Sequence, residues 1–448
     1  MPLSFVQTVN ASTLPQRGLA SAVARLYRPG LACALALLGC FAPSAASAQV
    51  LEGLVNAALQ SHPSTVGQRA LVASAQAGLE SAKWQFFPTP SATVESAGTS
   101  GSDPSYRGDP QVATFRLQQP LWTGGRLTAG LDKAQAGVSL SQAAYQEVRQ
   151  QLALKVLQAY SEWLSAHLKN QANEASQATH LRLREQVQRR IAEGVSAQSD
   201  LVLAQSRLDA ITADVTASSA QRDIAISRLG QLVGQPVDGK ALEAAIARPR
   251  ALMQNPQALM EQALALSPSI QKARYQAQVQ LAVVSERGAD LQPEFYARLE
   301  QQYGNFSYTN ALPETRVFVG VTSRLGAGLS SASNVQAART QYEAALAEID
   351  VQSRLVADQV SADQALAASA DSRMASVRAS LVSAKELSDS YDRQFLAGRK
   401  SWLDVMNAAR ELAQTETLLA DLLSTQVVVT WRLALSARGL DAVTQATP

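Results

Sequence analysis

The chain repeats itself. "LQSHPSTVGQRA" (residues 59–70) resembles "LALSPSIQKARY" (264–275), and Pro63 and Pro268 stand 205 positions apart. Pro88 in "FFPTPSATVES" and Pro293 in "LQPEFYARLEQ" keep that spacing. "EGVSAQSDLVLAQSRL" matches "AGRKSWLDVMNAARELA", with Gly194 and Gly398 separated by 204. Three anchors at nearly one offset make the chain two copies of one unit, 49–235 and 257–448, joined by a Pro- and Gly-containing connector at 236–256. Whatever one unit builds, the fold must accept twice.

Each unit reads in the same order. A short helical stretch ends at a Pro, and a second helix follows (64–85; 269–288). Two strands come next, then two very long helices broken by one Gly. No Pro occurs from 121 to 235 or from 314 to 447, and no Gly from 138 to 193 or from 329 to 397. Helices of about 60 residues reach about 90 Å. Val335, Tyr342, Ile349 and Val356 recur every seven residues, with Ala338 and Ala345 between them, the seam of a coiled coil. Periodicity alone is met by an ordinary antiparallel coiled coil; the strands add a further requirement.

The strand candidates are 91–98, 112–119, 295–303 and 315–324. In the second, Ala113, Phe115 and Leu117 share one face and Thr114, Arg116 and Gln118 the other. Phe295, Ala297 and Leu299 oppose Tyr296, Arg298 and Glu300, and Val317, Val319 and Val321 line one face of the fourth. Each has about the length of a membrane-spanning β-strand. Tyr106, Phe306 and Tyr308, in polar loops, suit an interfacial aromatic belt. A soluble four-stranded sheet meets the same pattern. In a membrane, four strands cannot close a barrel, which starts at about eight, and open edges are not tolerated in lipid. Several chains must then complete one barrel.

"QQPLWTGGRLTAG" (118–130) is the joint between a strand and a long helix. Pro120 is expected to end the strand ladder because it has no N–H. Gly124 and Gly125 give the backbone angles needed to change direction. In the second copy "RLGAGLSS" supplies Gly326 and Gly328.

The N-terminus reads as a signal peptide, 1–48. Arg17, Arg25 and Arg28 precede an apolar run at 31–42, too short to span a bilayer, and "ASA" at 46–48 suits cleavage. Both cysteines, Cys33 and Cys40, lie within it, so the exported chain has neither disulfide nor thiol chemistry; "LLGC" (37–40) loosely resembles a lipoprotein cleavage box. No later stretch holds 18 continuous apolar residues. The formal charge of +2 and the absence of a basic run with interleaved aromatics exclude a nucleic-acid binder. His62, His167 and His180 are scattered, with no second ligand at metal spacing, and no phosphate-binding loop is present. No enzyme, cofactor or metal site is expected, and His167 and His180 are expected on solvated helix faces.

The duplication, "QPLWTGGR" and the paired motifs "EGVSAQSDL" and "AGRKSWLDV" together resemble the TolC family of outer-membrane efflux and secretion ducts. The last resembles the family's Gly-x-Arg-x-x-x-Asp-Val turn. The resemblance covers essentially the whole mature chain. It implies a mainly α fold with transmembrane β: a homotrimer whose three chains give four strands each to a 12-strand outer-membrane barrel, continued by a long periplasmic α-helical barrel. The connector and the C-terminal tail would lie in an equatorial belt.

The resemblance also places adaptor docking at two helix-joining tips, Gly194, Val195 and Ser196, and Gly398, Arg399, Lys400 and Ser401. The first tip departs from the family's usual Val-Gly-Leu, being Glu-Gly-Val. Asp404 falls on an acidic gate position, with Asp200 as its counterpart and Lys400 nearby; a further family acid is Asn407 here. "SWLD" (401–404) equally reads as a helix-capping box. Implied partners are a periplasmic adaptor, an inner-membrane ABC transporter (an RND pump if the cargo is a drug), outer-membrane lipid and the exported protein or drug. "RGADLQPEFYARLEQQYGN" (287–305) looks like the LapE-like branch that exports large adhesins by type I secretion. Multidrug efflux is the alternative cargo. A periplasmic coiled-coil adaptor or a structural coiled-coil protein is the alternative class.

Overall fold

A computed structural model describes residues 46–98, 103–244, 255–323, 326 and 330–444. The signal segment up to residue 45, with both cysteines, and Gly328 lie outside the described residues. The first copy comprises α1 (Ala46–Ser61), α2 (Pro63–Trp84), β1 (Thr89–Ser96), β2 (Gln111–Trp122), α3 (Arg126–Ala192) and α4 (Gln198–Val233). After α5 (Gly239–Ala244), the second copy gives α6 (Pro256–Leu266), α7 (Pro268–Ala289), β3 (Glu294–Tyr303), β4 (Glu314–Thr322), α8 (Ser330–Leu396), α9 (Trp402–Arg438) and a last turn, α10 (Leu440–Thr444). The offsets survive in three dimensions: α2 and α7 begin 205 residues apart, α3 and α8 begin and end 204 apart.

α3 and α8 have 67 residues each, about 100 Å at 1.5 Å per residue. Neither is built by propensity alone; the burial of each changes along its length. The upper part of α8 carries only partly covered residues at Val335, Tyr342, Ile349 and Val356. Lower down, Val360, Asp363, Ala367, Ala370, Met374 and Val377 are buried at alternating three- and four-residue steps, a knobs-into-holes seam. The middle of α3, from Leu152 to Leu164, buries most of its side chains because α1, α4, α9 and α10 close on it there, although Lys155 and Gln158 stay exposed. Tyr160 and Trp163, both fully buried, fill that waist. A helix becomes apolar all round only where neighbours surround it.

α9 is long and apolar enough to cross a bilayer by length and composition, but 56% of its most apolar window is buried. Val427, Val428, Val429, Trp431, Leu433 and Leu435 all sit in the waist core. It is a core helix.

Neighbour order differs above and below the waist. Above it, α2, α3, α7 and α8 pack in that sequence; below it, α4, α3, α9 and α8 do. In both layers α8 ends the row.

Candidate functional site

The four strands form one antiparallel sheet in the order β1-β2-β3-β4. Register fixes its faces. Leu117 pairs with Leu299 and Leu299 with Val317; Phe115 pairs with Ala92; Phe295 pairs with Val321 and Trp122. Side chains on paired residues share a face, so one face carries Pro90, Ala92, Val94, Ala113, Phe115, Leu117, Phe295, Ala297, Leu299, Val317, Val319 and Val321, interrupted by Gln119, Gln301 and Thr315. It is exposed: Val94, Val317 and Val319 are more than 70% accessible. The opposite face carries Arg116, Gln118, Arg298, Glu300, Gln302 and Arg316. The faces expected from alternation are the observed ones. The strands begin one or two residues earlier than expected, and β2 runs three residues further, to Trp122.

That extension corrects the expectation for Pro120, which does not end the strand. Pro120 pairs with Tyr296, and the register shifts between Pro120 and Trp122. β1 has already ended opposite Gln118. Position 120 therefore lies at a local sheet edge, where a missing donor costs little.

The turn comes at the glycines. Gly124 has φ 60° and Gly125 φ 91°, both left-handed. Thr123, buried, closes the turn: its carbonyl accepts from Arg126 N–H at 3.0 Å and its hydroxyl from Leu127 N–H at 3.4 Å. A Cβ on Gly124 would stand 2.3 Å from the Cβ of Gln292, in the second copy's α7–β3 turn. Arg126 holds Glu294 at 2.5 Å and Lys133 holds Glu286 at 2.7 Å. The first copy's joint is thus fastened to the second copy. Gly326 is also left-handed, at φ 72°.

At the sheet's loop end Asp109 ties the two copies together. Its carboxylate accepts from the N–H groups of Asn305 and Asn310, and its own N–H donates to Asn305 O. Tyr106 packs on Phe306, ring centres 5.8 Å apart.

The two tips at the other end share one geometry. Gly194 (φ 74°) and Gly398 (φ 71°) each follow a helix end. Val195 N–H reaches Arg190 O and Arg399 N–H reaches Gln394 O, both at 2.8 Å, while each Gly N–H closes a bond to the residue three before it. These are Schellman caps, which need the left-handed residue. Beneath them lies a small core that the sequence does not advertise: Leu183, Val187, Ala204, Phe395, Trp402, Val405 and Met406, all buried. It joins the tips of the two copies. The Arg190 guanidinium lies 5.0 Å over the Phe395 ring, and Arg182 pairs with Asp392 at 3.2 Å.

Val195 and Arg399 are exposed, and Ser196 is half-buried. Lys400, unlike Arg399, is half-buried, its ammonium 4.3 Å over the Tyr391 ring, because the tip core brings that ring beneath it.

Ser401 and Asp404 form a full capping box. Asp404 N–H donates to Ser401 Oγ at 3.2 Å, and Asp404 Oδ2 accepts from Ser401 Oγ at 2.8 Å and from its N–H at 3.3 Å. These bonds, the hydroxyl first, hold the Asp404 carboxyl below the usual carboxylate range, and the Lys400 charge adds to the effect. Asp200 does half as much. Its Oδ2 accepts from Ala197 N–H at 3.3 Å, but Ala197 has no side-chain oxygen, and the Asp200 N–H donates to the Ala197 carbonyl at 3.0 Å instead. Asn407 is exposed.

The histidines correct a second expectation. His167 and His180 are not on solvated faces; each is 4% exposed. His180 Nδ1 is 2.8 Å from Ser176 O. His167 stacks on Trp163, with Nδ1 3.5 Å from the Glu243 carboxylate. Burial holds its pKa below the ordinary value against the pull of Glu243. No group of three His, Cys, Asp or Glu able to hold a metal occurs among the described residues.

A sheet polar on one face and bare apolar on the other, continued by coiled-coil hairpins, is the TolC-like outer-membrane channel fold with its long helical barrel. The chain is similar to the outer-membrane channel OprN, with 19% identity and TM-score 0.74 over 87% of this chain and 89% of that one. It is similar to VceC of Vibrio cholerae, with 18% identity and TM-score 0.74 over 89% and 99%, and to CmeC of Campylobacter jejuni, with 14% identity and TM-score 0.70 over 87% and 85%. Residues 54–235, within the first copy, match the family model described as outer membrane efflux protein. No curated protein matches the chain.

Proposed function

We propose that the chain is the outer-membrane exit duct of a tripartite export system, a passive channel opened by an adaptor and an inner-membrane transporter. One observation carries the reading. A single chain presents a four-stranded sheet with a bare apolar face and two unpaired edges, and 67-residue helices follow β2 and β4 along the chain. Apolar strands suit lipid, but their edges do not, so β4 of one copy must meet β1 of the next. Three copies give twelve strands. The rows of helices, each ended by α8, close in the same way: α8 meets a neighbour's α2 above the waist and its α4 below.

On this reading residues 1–48 are a signal peptide, 236–256 and the C-terminal turn belong to an equatorial belt, and the tips face the periplasmic partners. Gly194, Val195, Ser196, Gly398, Arg399, Lys400 and Ser401 are the docking tips, and Asp200, Asp404 and Lys400 the gate. For cargo we favour a large adhesin passed on from an ABC transporter by type I secretion, on the character of residues 287–305. Small-molecule efflux with an RND pump is the second reading, and the family description matched by residues 54–235, outer membrane efflux protein, is compatible with both. Native mass in detergent should be three times that of the mature chain, with heat-modifiable migration and outer-membrane fractionation. A stable monomer refutes the duct. Deleting the gene and comparing surface proteins with drug sensitivity decides the cargo.

A further inference from the structure

The polar face of the sheet holds a charge arrangement that the duct reading does not require. Near its helix end is a cavity of about 500 Å³, lined among others by Arg116, Gln118, Arg126, Glu294, Tyr296 and Arg298. Three guanidiniums reach it. Arg126 is neutralised by Glu294 at 2.5 Å. Arg116 and Arg298 instead converge on one carboxylate, Glu300, and on the same oxygen: Oε2 is 3.0 Å from Arg116 Nε and 3.6 Å from Arg298 Nε.

The acid is the buried member. The Glu300 side chain is 8% exposed, whereas Arg116 and Arg298 are 45% and 27% exposed. The cavity therefore sees the bases more than the acid beneath them. Arg298 is also short of acceptors: its Nε is buried with no hydrogen-bond partner, and 3.6 Å to Glu300 is too long for one. Its guanidinium carbon lies 4.4 Å from the centre of the Phe318 ring, a contact that positions the fork and uses none of its N–H groups. A buried donor left unpaired calls for a reason. A rigid guanidinium fork with unused N–H groups matches the two oxygens of a carboxylate or phosphate.

We propose that Arg116 and Arg298 form an oxyanion site in the channel wall at the strand–helix junction, where carboxylate or phosphate groups of cargo dock in transit. The site rests on the duct reading for its biological meaning but not for its existence. Citrate and inorganic phosphate are the probes, titrated separately by calorimetry into the full detergent-solubilised protein, and their relative affinities tell carboxylate from phosphate.

Arg298→Gln should weaken binding about tenfold or more, the loss of one charge-assisted hydrogen-bonding group. Arg298 makes no short bond to Glu300, so this variant should fold normally. Glu300→Gln removes the competing internal anion and should tighten binding, a change of sign that misfolding cannot produce. In planar bilayers the better-bound probe, added from the sheet side, should block wild type at lower concentration than Arg298→Gln. Binding without any conductance would reject the duct and keep the site. Absence of binding by both probes, or equal binding by wild type and Arg298→Gln, overturns the proposal.

Discussion

Gly124 and Gly125 are adjacent and both left-handed, yet the structure assigns them different reasons. At Gly125 (φ 91°) an added Cβ meets nothing within 4 Å, so Ala there suffers only the backbone term. That is about 2 kcal/mol, within the range for a non-Gly residue in a sparsely populated region. Gly124 (φ 60°) lies close to the left-handed minimum, where the backbone term is about 1 kcal/mol. Its Cβ, however, would stand 2.3 Å from Gln292 Cβ. Gln292 cannot simply retreat, because its N–H is bonded to Ala289 O at 2.9 Å. Forcing an extra carbon into such a contact costs about 1–3 kcal/mol. Gly124→Ala should therefore cost about 2–4 kcal/mol, and the part above 1 should belong to Gln292.

A double-mutant cycle isolates that part. Gln292→Gly should relieve Gly124→Ala by about 1–3 kcal/mol and leave Gly125→Ala unchanged. The measurement is a denaturant titration of the detergent-solubilised protein, followed by the fluorescence of its tryptophans, one of which, Trp122, adjoins the turn. Zero coupling between positions 124 and 292, or equal coupling for both glycines, would refute the claim that the joint is fastened to the second copy by close packing. Replacing both glycines with Val should block barrel assembly while helix content by circular dichroism stays near wild type.

Reversing charge at Arg399 and Lys400 together should weaken adaptor capture in pull-downs and leave trimer yield unchanged. Arg399→Glu should have the larger share, because Lys400 is engaged with Tyr391. His167 is held neutral by burial, so its folded pKa lies below its unfolded value; the unfolded chain takes up the proton first, and stability should fall as pH drops below about 6.5. His167→Gln should flatten that fall between pH 7.5 and 5.5 in thermal melts, and an unchanged slope would put the sensitivity elsewhere. Asp404→Ala combined with Asp200→Ala should raise resting conductance and lower block by divalent cations if the acids gate the channel. If they only cap, melting temperature falls and conductance stays as it was.

Much of this was readable in advance. The offset of 205 or 204 gave the element order twice, and strand alternation gave the faces, because a sheet with one bare face imposes strict period two. Left-handed glycines were legible because no other residue takes those angles cheaply. What failed depended on neighbours. Pro120 looked like a terminator, but β1 stops before reaching it. His167 and His180 looked solvated because they sit among Gln, Asn and Ser, and their burial comes from helices packed around α3 that no local stretch reveals. The tip core was missed for a related reason: Leu183, Phe395 and Trp402 come from three helices, and no single stretch shows them together. Residues such as Arg298 were read as one face of a strand, and their sharing of Glu300 is visible only across strands.

The places where the copies diverge say what duplication does not supply. Arg228 and Arg432 are counterparts, 204 residues apart. In the first copy Arg228 pairs with Glu162 at 2.5 Å, both partly exposed, the kind of pair that contributes about 0–1 kcal/mol. In the second, Arg432 pairs with Asp363, whose side chain is 3% exposed and which also accepts from Gln359; burial lowers the Arg432 pKa. Removing one partner of a buried pair costs about 3–5 kcal/mol. The first-copy position matching Asp363 is Ala159, 1% exposed, inside the waist core. A carboxylate has no room there, because α3 is wrapped by more helices than α8. The tips repeat the contrast: Ser401 and Asp404 exchange side-chain bonds in both directions, whereas between Ala197 and Asp200 only the Asp200 side chain takes part. Backbone geometry is therefore common to both hairpins, while their stabilisation is not. Both hairpins share the apolar waist and bury polar contacts, Ser218 donating to Asn170 Oδ1 in the first, but the α8–α9 hairpin adds a charged pair, Arg432 with the buried Asp363.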